Sequence, residues 1–343
     1  MTIALTGGTG FLGTRVLDEL LARGHDVRCL IRASGQHTPL RERLAPALRE
    51  RLEVHEGTLD RVDGCRDFLR SCDTVVHVAA PLTGSTPSLF ANGVLPTRRL
   101  VDAAVDLGVR RFVLISSLGV YGSQHLAAGA TLDETCPVDR LPHRRDPYTF
   151  SKIAQEDICW RAHHERALPL VVIRPGVLFG PGRPLLTARI GLMIGGLLIR
   201  MDGRQQVPYC FVDNCARAVA QAVDTPDIDG LVANVVDDDL PSADEVLRHH
   251  RRHQRHTGST RAMRTFRIPA WGIARFARAC ESASARSQSM FPPVLTPYKA
   301  AAIWKRLRYS NALAKARLGW MPHVPFDEAV RRTVQTVQTA GER

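Results

Sequence analysis

Tyr148 and Lys152 stand four residues apart near the middle of the chain and offer complementary proton chemistry. If this segment is a helix, the two side chains share one face. A phenol is a poor base at neutral pH because its unperturbed pKa is about 10, and a neighbouring ammonium favours its ionised form. We therefore expect Lys152 to lower the pKa of Tyr148. The spacing is informative because the chain has only four lysines, at 152, 299, 305 and 315, and one of them lies four residues after Tyr148.

The segment TGGTGFLG, at 6–13, has glycines at every third position. It follows a predicted strand at 3–6 and opens a predicted helix at 13–23, and this context is what distinguishes a nucleotide-binding turn from an ordinary glycine turn. Glycines permit a tight turn and a close approach of the backbone to a pyrophosphate, while the helix N-terminus supplies N–H donors. The segment therefore predicts a dinucleotide site that includes Gly7, Gly10 and Gly13.

The elements that must position these residues alternate along the first two thirds of the chain. Short apolar runs separated by helical patterns predict βαβ units and a parallel sheet. Predicted strands lie at 3–6, 26–31, 52–56, 74–79, 111–116 and 170–174, and the clearest helices at 13–23, 95–107 and 148–166. Further along, the patterns predict a helix at 185–200, a strand at 207–212, a helix at 213–223 and a strand at 231–236.

Together these motifs resemble the extended branch of the short-chain dehydrogenase/reductase superfamily, often called the NAD-dependent epimerase/dehydratase family. Other segments that carry the resemblance are Tyr148-Thr-Phe-Ser-Lys152, Ser116-Ser117-Leu-Gly-Val-Tyr-Gly, His77-Val-Ala-Ala80 and Arg174-Pro-Gly-Val, all within residues 1–236. YCFVDNCARAV and the C-terminal tail are similar to 3β-hydroxysteroid dehydrogenase-like members. The resemblance implies an α/β fold, with a Rossmann-like doubly wound parallel sheet and a smaller mixed C-terminal substrate-binding lobe. We expect a dinucleotide domain at 1–180, to which 205–236 return, and a cap at 181–204 and 237–335.

The resemblance also implies roles for individual residues. Tyr148 would be the general acid/base, Lys152 its activator and a ribose-hydroxyl ligand, and Ser117 a hydrogen-bond donor to the substrate oxygen. The backbone of 175–177 would meet the carboxamide of the nicotinamide. No metal site is expected. The expected cofactor-binding residues are Gly7, Gly10, Phe11, Leu12, Gly13, Arg32, Thr58, Leu59, Val78, Ala79, Ala80, Ser116, Tyr148, Lys152, Pro175, Gly176 and Val177.

The residue after the second strand bears on the choice of cofactor. In this family an acidic residue there hydrogen-bonds the ribose 2′-hydroxyl of NAD, whereas a basic one accommodates the 2′-phosphate of NADP. Arg32 therefore favours NADP(H), with NAD(H) possible. Where the family often has Gly-Asp-Leu, this chain has Gly57-Thr58-Leu59, and a Thr58 hydroxyl replaces only part of the usual adenine-edge contact.

The substrate is less well defined than the cofactor. Leu118 and Gly119 stand where 4,6-dehydratases of the family carry an Asp-Glu pair, which disfavours dehydration. Val207 stands where many UDP-sugar enzymes carry a diphosphate-binding arginine, although Arg183, Arg200 or Arg204 could substitute. We expect an NAD(P)-dependent oxidoreductase that acts on a small-molecule secondary alcohol or ketone. The alternatives are a nucleotide-sugar epimerase with transient hydride transfer and a non-catalytic NADP-sensing protein.

The composition of the chain limits which partners and which cellular location are expected. The net charge of +12 comes mostly from arginines spread along the chain, with no nucleic-acid-binding motif, so we expect no nucleic-acid partner. None of the eight cysteines belongs to a C-x-x-C pair. This pattern predicts buried free thiols in a reducing compartment. With no predicted transmembrane segment or signal peptide, we expect a cytoplasmic protein. We also expect a homodimer formed through helices 95–107 and 148–166, whose spare apolar residues would be Leu100, Ala104, Leu107, Ile153, Ala154 and Ile158.

The histidine-rich run at 249–256 is interpreted as a solvated helix end rather than as a metal site. The basic amphipathic stretch at 261–280, with Phe266, Trp271, Ile273 and Phe276, could lie on a membrane surface. Packing as part of the cap is the favoured interpretation of this stretch.

Overall fold

The computed structural model describes residues 1–32, 37–256, 264–286 and 295–341. The strands are β1 Thr2–Thr6, β2 Asp26–Ile31, β3 Leu52–Glu56, β4 Thr74–His77, β5 Arg111–Ile115, β6 Thr131–Leu132, β7 Leu170–Pro175, β8 Val177–Phe179, β9 Gly191–Ile194, β10 Leu197–Met201, β11 Tyr209–Phe211, β12 Val232–Val235, β13 Arg264–Ile268 and β14 Arg308–Tyr309. The α-helices are α1 Phe11–Ala22, α2 His37–Glu42, α3 Pro46–Arg49, α4 Val62–Leu69, α5 Thr86–Leu89, α6 Leu95–Asp106, α7 Pro147–Arg166, α8 Val212–Asp224, α9 Ala243–His256, α10 Ala270–Arg286, α11 Pro297–Trp304, α12 Ala312–Leu318 and α13 Phe326–Gly341. A π-helix spans Phe90–Val94, and a short 3₁₀-helix spans Leu118–Val120.

The main sheet has seven strands in the order β12-β7-β5-β4-β1-β2-β3. Each neighbouring pair in it is parallel. Strand order reverses between β1 and β4, as in a doubly wound sheet, and ligands of such sheets bind at the carboxyl ends of the strands near this reversal. The predicted α/β fold class is confirmed, and the six predicted strands of its first two thirds lie within two residues of their observed bounds.

Helices cover both faces of this sheet. On one face α1 and α8 pack together and share a core cluster with β1, β2 and β7. On the other face α4, α6 and α7 share a second cluster with β4 and β5. Leu17 and Leu20 of α1 are fully buried, and burial of each such side chain contributes roughly 1.5–3 kcal/mol. This burial fixes α1 against the sheet, and with it the glycine loop from which the helix begins.

The predicted helix at 185–200 is wrong, because the segment contains an antiparallel hairpin. β9 pairs with β10 in a register that sets Ile194 opposite Leu197. The two residues between them, Gly195 and Gly196, have φ of 53° and 80°. Positive φ at both central positions is the requirement of a type I′ hairpin turn, which glycine meets without strain. The Gly-Gly pair between two apolar runs was the signal for a hairpin, and the length of the apolar stretch masked it.

The C-terminal part builds a second, smaller layer of structure. β10 also pairs in parallel with β13, which makes a three-stranded sheet that packs on α10 and α11. Ile273 and Phe276 of the amphipathic stretch belong to this packing, whereas Phe266 and Trp271 are 60% and 72% exposed. Residues 261–263 of that stretch lie outside the described residues. Along the described ranges, no helix combines the length and apolar character needed to cross a membrane.

Two of the residues predicted for a dimer interface are buried within the chain itself. Leu100 and Ala104 of α6 are 0% exposed and belong to the core cluster under the sheet, so the expectation that they are spare for a partner is wrong. Leu107 follows α6 and is 45% exposed. Ile153 and Ile158 of α7 are partly exposed. The side of α6 that carries Leu100 packs on the sheet, and the opposite, outer side of the helix is mainly polar.

Candidate active site

The carboxyl ends of the central strands open into one cleft with a volume of about 1190 Å³. Residues from the glycine loop, from the ends of β2, β4, β5 and β7, and from the start of α7 line it. Every residue predicted for catalysis or for cofactor binding lies on its wall. Residues far apart in sequence meet there because the strands are parallel, so their carboxyl ends share one edge of the sheet.

The glycine loop has the backbone geometry of an anion-binding turn. Gly7 has a φ of 76°, and a Cβ on it would lie 2.7 Å from the amide nitrogen of Ala79. A Cβ on Gly13 would lie 1.9 Å from the carbonyl oxygen of Gly7, so the loop and α1 close on each other only without side chains. Gly10 is the N-cap of α1 and offers no side-chain cap. The first N–H groups of the helix are therefore available to phosphate oxygens, and a dinucleotide fits this loop.

Tyr148 lies in the first turn of α7, which begins at Pro147 and is capped by Asp146. The Asp146 carboxylate accepts hydrogen bonds from the Thr149 N–H at 2.9 Å and from its hydroxyl at 2.8 Å. Burial raises the pKa of Tyr148 to about 12, while a hydrogen bond with the Ser117 hydroxyl and the charge of Arg183 act in the opposite direction. The expected lowering of this pKa is therefore wrong for the polypeptide, because burial outweighs the neighbouring charges.

Lys152 is one turn further along α7 and is buried. Its ammonium donates a hydrogen bond to the carbonyl oxygen of Ile115, at 2.7 Å, where β5 ends. Burial lowers the pKa of Lys152 to about 8, and the carboxylate of Glu156 opposes this shift. Glu156 is itself held by Arg174, whose Nε donates to its Oε1 at 2.9 Å in a buried ion pair. These contacts anchor α7, and both of its predicted catalytic side chains, to the ends of β5 and β7.

The two serines after β5 differ in their surroundings. The Ser117 hydroxyl oxygen accepts a hydrogen bond from the Gly119 N–H at 3.1 Å and caps the 3₁₀-helix that follows. It also lies close enough to the Tyr148 phenol to lower the pKa of that group. The Ser116 hydroxyl is buried and has no hydrogen-bond partner within the described residues. Because a buried hydroxyl normally has a partner, Ser116 is suited to contact a ligand in the cleft.

A buried polar network that the sequence argument did not identify lies behind the cleft. His77, at the end of β4, hydrogen-bonds the Thr6 hydroxyl through Nδ1 at 2.7 Å and the Thr97 hydroxyl through Nε2 at 2.9 Å. Gln155 of α7 donates to Thr97 at 2.7 Å. The network connects the strand before the glycine loop to the helix that carries Tyr148. Burial and the charge of Lys152 lower the pKa of His77 to about 3. The His77-Val-Ala-Ala motif was the available signal, but periodicity alone does not show its partners.

The remaining candidates are cations and metal ligands. Of the three arginines that could replace a diphosphate-binding residue, Arg183 lines the cleft, whereas Arg200 pairs with Asp244 at 2.9 Å and Arg204 is exposed on the surface. Arg32 lies on the cleft wall at the end of β2. In the part of the chain that the structure describes, no group of three or more His, Cys, Asp or Glu is placed to hold a metal ion.

A doubly wound sheet with a glycine loop, a Tyr-x-x-x-Lys helix and a serine at the end of β5 defines a nucleotide-dependent enzyme of the short-chain dehydrogenase/reductase type. The sequence model of the NAD dependent epimerase/dehydratase family matches residues 3–235, and the chain belongs to this family. Membership confirms the predicted family.

Individual relatives show how broad that family is. Cinnamoyl-CoA reductase 1 of Petunia hybrida is 27% identical over 237 residues, which cover 66% of this chain and 70% of the relative. The 3 beta-hydroxysteroid dehydrogenase/Delta 5-->4-isomerase of Mycobacterium tuberculosis (strain ATCC 25618 / H37Rv) is 31% identical over 220 residues, 58% of this chain and 55% of the relative. Other curated relatives are likewise matched over little more than half of their length.

Solved structures resemble the whole chain in fold. The UDP-glucuronic acid 4-epimerase of Bacillus cereus, solved in complex with NAD, covers 99% of this chain and 99% of its own, with a TM-score of 0.71 and 20% identity. At this identity the likeness shows the shared fold.

Proposed function

We propose that this protein is an NADPH-dependent reductase that interconverts a small-molecule ketone and its secondary alcohol. The observation that carries the proposal is the meeting of Tyr148, Ser117 and Lys152 in one cleft with the uncapped N-terminus of α1. A glycine turn alone would support nucleotide binding, and a tyrosine alone would support little. Their shared cleft supports a proton donor acting beside a dinucleotide.

A nicotinamide held in this cleft would supply the hydride in reduction and would accept it in oxidation. Because burial raises the pKa of Tyr148 to about 12, its phenol is protonated at neutral pH and is ready to donate a proton to a ketone oxygen. The Ser117 hydroxyl lies beside that phenol and stabilises negative charge that develops on the same oxygen. Lys152 lines the same cleft and would hold a ribose hydroxyl of the cofactor.

The chemistry is tested with Tyr148→Phe, which removes the exchangeable proton and keeps the ring. Turnover should fall by about 10²–10⁴-fold, the usual contribution of general acid/base catalysis, while the dissociation constant for NADPH changes by less than about two-fold. A substrate is first identified by screening the unmodified protein with NADPH in stopped assays. The screen covers ketones, hydroxysteroids, 3-oxoacids, CoA thioesters and UDP-sugars. The thioesters enter the panel because cinnamoyl-CoA reductases are among the relatives. Full activity of the variant on any substrate so found would refute the assignment of Tyr148.

We propose NADP(H) rather than NAD(H) as the cofactor, since Arg32 lies on the cleft wall at the end of β2. There its guanidinium can accommodate a 2′-phosphate. Arg32→Asp should reverse or abolish the preference, measured as the ratio of dissociation constants for NADPH and NADH by fluorescence titration. Equal affinities in the unmodified protein that stay equal in the variant would show that Arg32 takes no part in the choice.

The same panel separates the alternatives. A reductase consumes NADPH in proportion to the alcohol formed, whereas an epimerase converts a UDP-sugar with no net change in absorbance at 340 nm. A sensing protein would bind NADPH and turn over nothing. Retention of both Tyr148 and Lys152 in the cleft supports a catalytic role over a sensing one.

The remaining expectations concern organisation and location. We propose that 1–180 with 205–236 form the dinucleotide domain and that 181–204 with 237–335 form the substrate lobe, a division supported by the pairing of β12 with β7 and of β10 with β13. We propose a cytoplasmic homodimer, supported by eight free cysteines and by the partly exposed apolar side chains of α7. Light scattering at micromolar concentration and cell fractionation test these two points.

A further inference from the structure

Arg183 is held over the cleft by a rigid turn. Its backbone N–H donates to the carbonyl oxygen of Gly180 at 2.9 Å. Gly180 has a φ of 152°, and a Cβ there would lie 2.7 Å from Val212 Cγ1 and 3.4 Å from Phe11 Cζ. The turn therefore sits directly against the first residue of α1, in a backbone conformation that other residues rarely adopt. Its position relative to the glycine loop is thus fixed by packing.

The guanidinium of Arg183 lies on the cleft wall beside the N-terminus of α1. Its central carbon is 4.7 Å from the centroid of the Phe11 ring, in a cation–π contact at the N-terminus of α1. Its charge also acts on the phenol of Tyr148, where it favours the ionised form. One cation is therefore near both the predicted pyrophosphate position and the predicted site of proton transfer.

Arg183 differs from Arg145 and Arg189 on the same wall in having no polar partner among the described residues. Arg145 is neutralised by Asp139 at 2.9 Å, and Arg189 donates to the carbonyl oxygen of Ile303 at 3.3 Å. Within residues 1–32, 37–256, 264–286 and 295–341, the Arg183 side chain forms neither an ion pair nor a hydrogen bond. This half-buried cation contacts the Phe11 ring, but no acidic group among the described residues neutralises it, so part of its hydration is lost without a counter-charge in return. An anion that enters the cleft would restore the balance.

We propose that Arg183 binds an anionic oxygen, from a phosphate or carboxylate group, in the part of the cleft between Phe11 and Tyr148. The proposal rests on the proposed function for the identity of the cleft and assigns it a recognition residue. The anion has two sources, the pyrophosphate of the cofactor or an acidic group of the substrate. Charge-assisted hydrogen bonds from arginine to such groups are among the stronger polar contacts in proteins.

The test compares the unmodified protein with Arg183→Gln, Arg183→Lys and the control Arg278→Gln. Arg278 is an exposed arginine of α10 and lies outside the cleft wall. One arm measures the dissociation constant for NADPH by fluorescence. The other measures inorganic pyrophosphate by calorimetry, on the free protein and on the protein saturated with NADP⁺. Thermal melts of the four proteins check that each variant is folded.

Arg183→Gln should weaken at least one of these affinities about ten-fold or more, Arg183→Lys should restore part of it, and the control should stay within two-fold. Weakened NADPH binding identifies the cofactor as the source of the anion. Weakened pyrophosphate binding to the NADP⁺ complex, with NADPH binding intact, identifies the substrate. A folded Arg183→Gln protein with all affinities within two-fold overturns the proposal. If the unmodified protein does not bind NADPH, the proposed function fails instead, and pyrophosphate binding to the free protein still decides the role of Arg183.

Discussion

Lys152→Met should stabilise the fold while it abolishes turnover. The ammonium is buried, and its pKa falls from 10.5 to about 8 on folding. One pKa unit corresponds to about 1.4 kcal/mol, so the folded state bears a penalty of about 3 kcal/mol for keeping this group charged. Methionine keeps the apolar stem and removes the charge. It also leaves the Ile115 carbonyl without its donor, which costs about 1 kcal/mol. The expected net gain at pH 7 is therefore about 2 kcal/mol.

The pH dependence distinguishes this cause from ordinary repacking. Below pH 8 both the folded and the unfolded forms of Lys152 are protonated, so the penalty is complete and constant. Between about pH 8 and pH 10.5 the unfolded chain binds more protons than the folded one, so the stability of the unmodified protein rises with pH. The advantage of Lys152→Met should shrink across this window and disappear near its upper end.

Urea unfolding at pH 7, 8, 9 and 10 measures the free energy of unfolding of both proteins. Lys315→Met is the matched control, because Lys315 lies on the surface and pairs with Asp238 at 2.6 Å. An exposed pair contributes at most about 1 kcal/mol, so the control should be neutral or slightly destabilised, with no change over this pH range. A Lys152→Met protein that is less stable at pH 7, or whose advantage is the same at pH 7 and pH 10, would refute the reasoning.

Two further predictions concern the buried groups around the site. Glu156→Gln leaves the Arg174 guanidinium buried beside an uncharged partner, so the free energy of unfolding should fall by about 3–5 kcal/mol; a loss below 1 kcal/mol in urea would contradict the importance of the pair. His77 has an unfolded pKa of 6.5 and a folded pKa of about 3, so the unfolded chain binds more protons between these values and stability should fall by up to about 5 kcal/mol as pH drops through them. In thermal melts between pH 3 and pH 6.5, His77→Gln should reduce the loss of stability with falling pH. If stability depends on pH as steeply in the variant as in the unmodified protein, other groups cause the acid sensitivity.

The family, the fold class and the residues of the cleft wall could all be predicted from short stretches of consecutive residues. Local signals sufficed for this, because a strand followed by a glycine turn and an uncapped helix start is a property of consecutive residues. The four-residue spacing of Tyr148 and Lys152 likewise needs only a helix to put them on one face. Since parallel strands bring their carboxyl ends to one edge, motifs that follow several strands had to meet. The placement of Ser117 beside Tyr148 follows from the same rule.

The environment of each group in that cleft depends on how distant segments pack together. Whether the pKa of Tyr148 rises or falls depends on burial against neighbouring charge, and both come from segments distant in sequence. Leu100 and Ala104 of α6, which were expected at a dimer interface, belong to the core under the sheet. An apolar helix face can pack on a sheet or on a partner, and the sequence pattern is the same in both cases. The hairpin of β9 and β10 replaced a helix because its apolar run pairs with β13 more than 60 residues away. The position of Arg183 over Phe11 also depends on a long-range contact. The turn at Gly180 packs against the first residue of α1, which is far away in sequence. Burial, charge and pairing are properties of the assembled chain, and local sequence does not contain them.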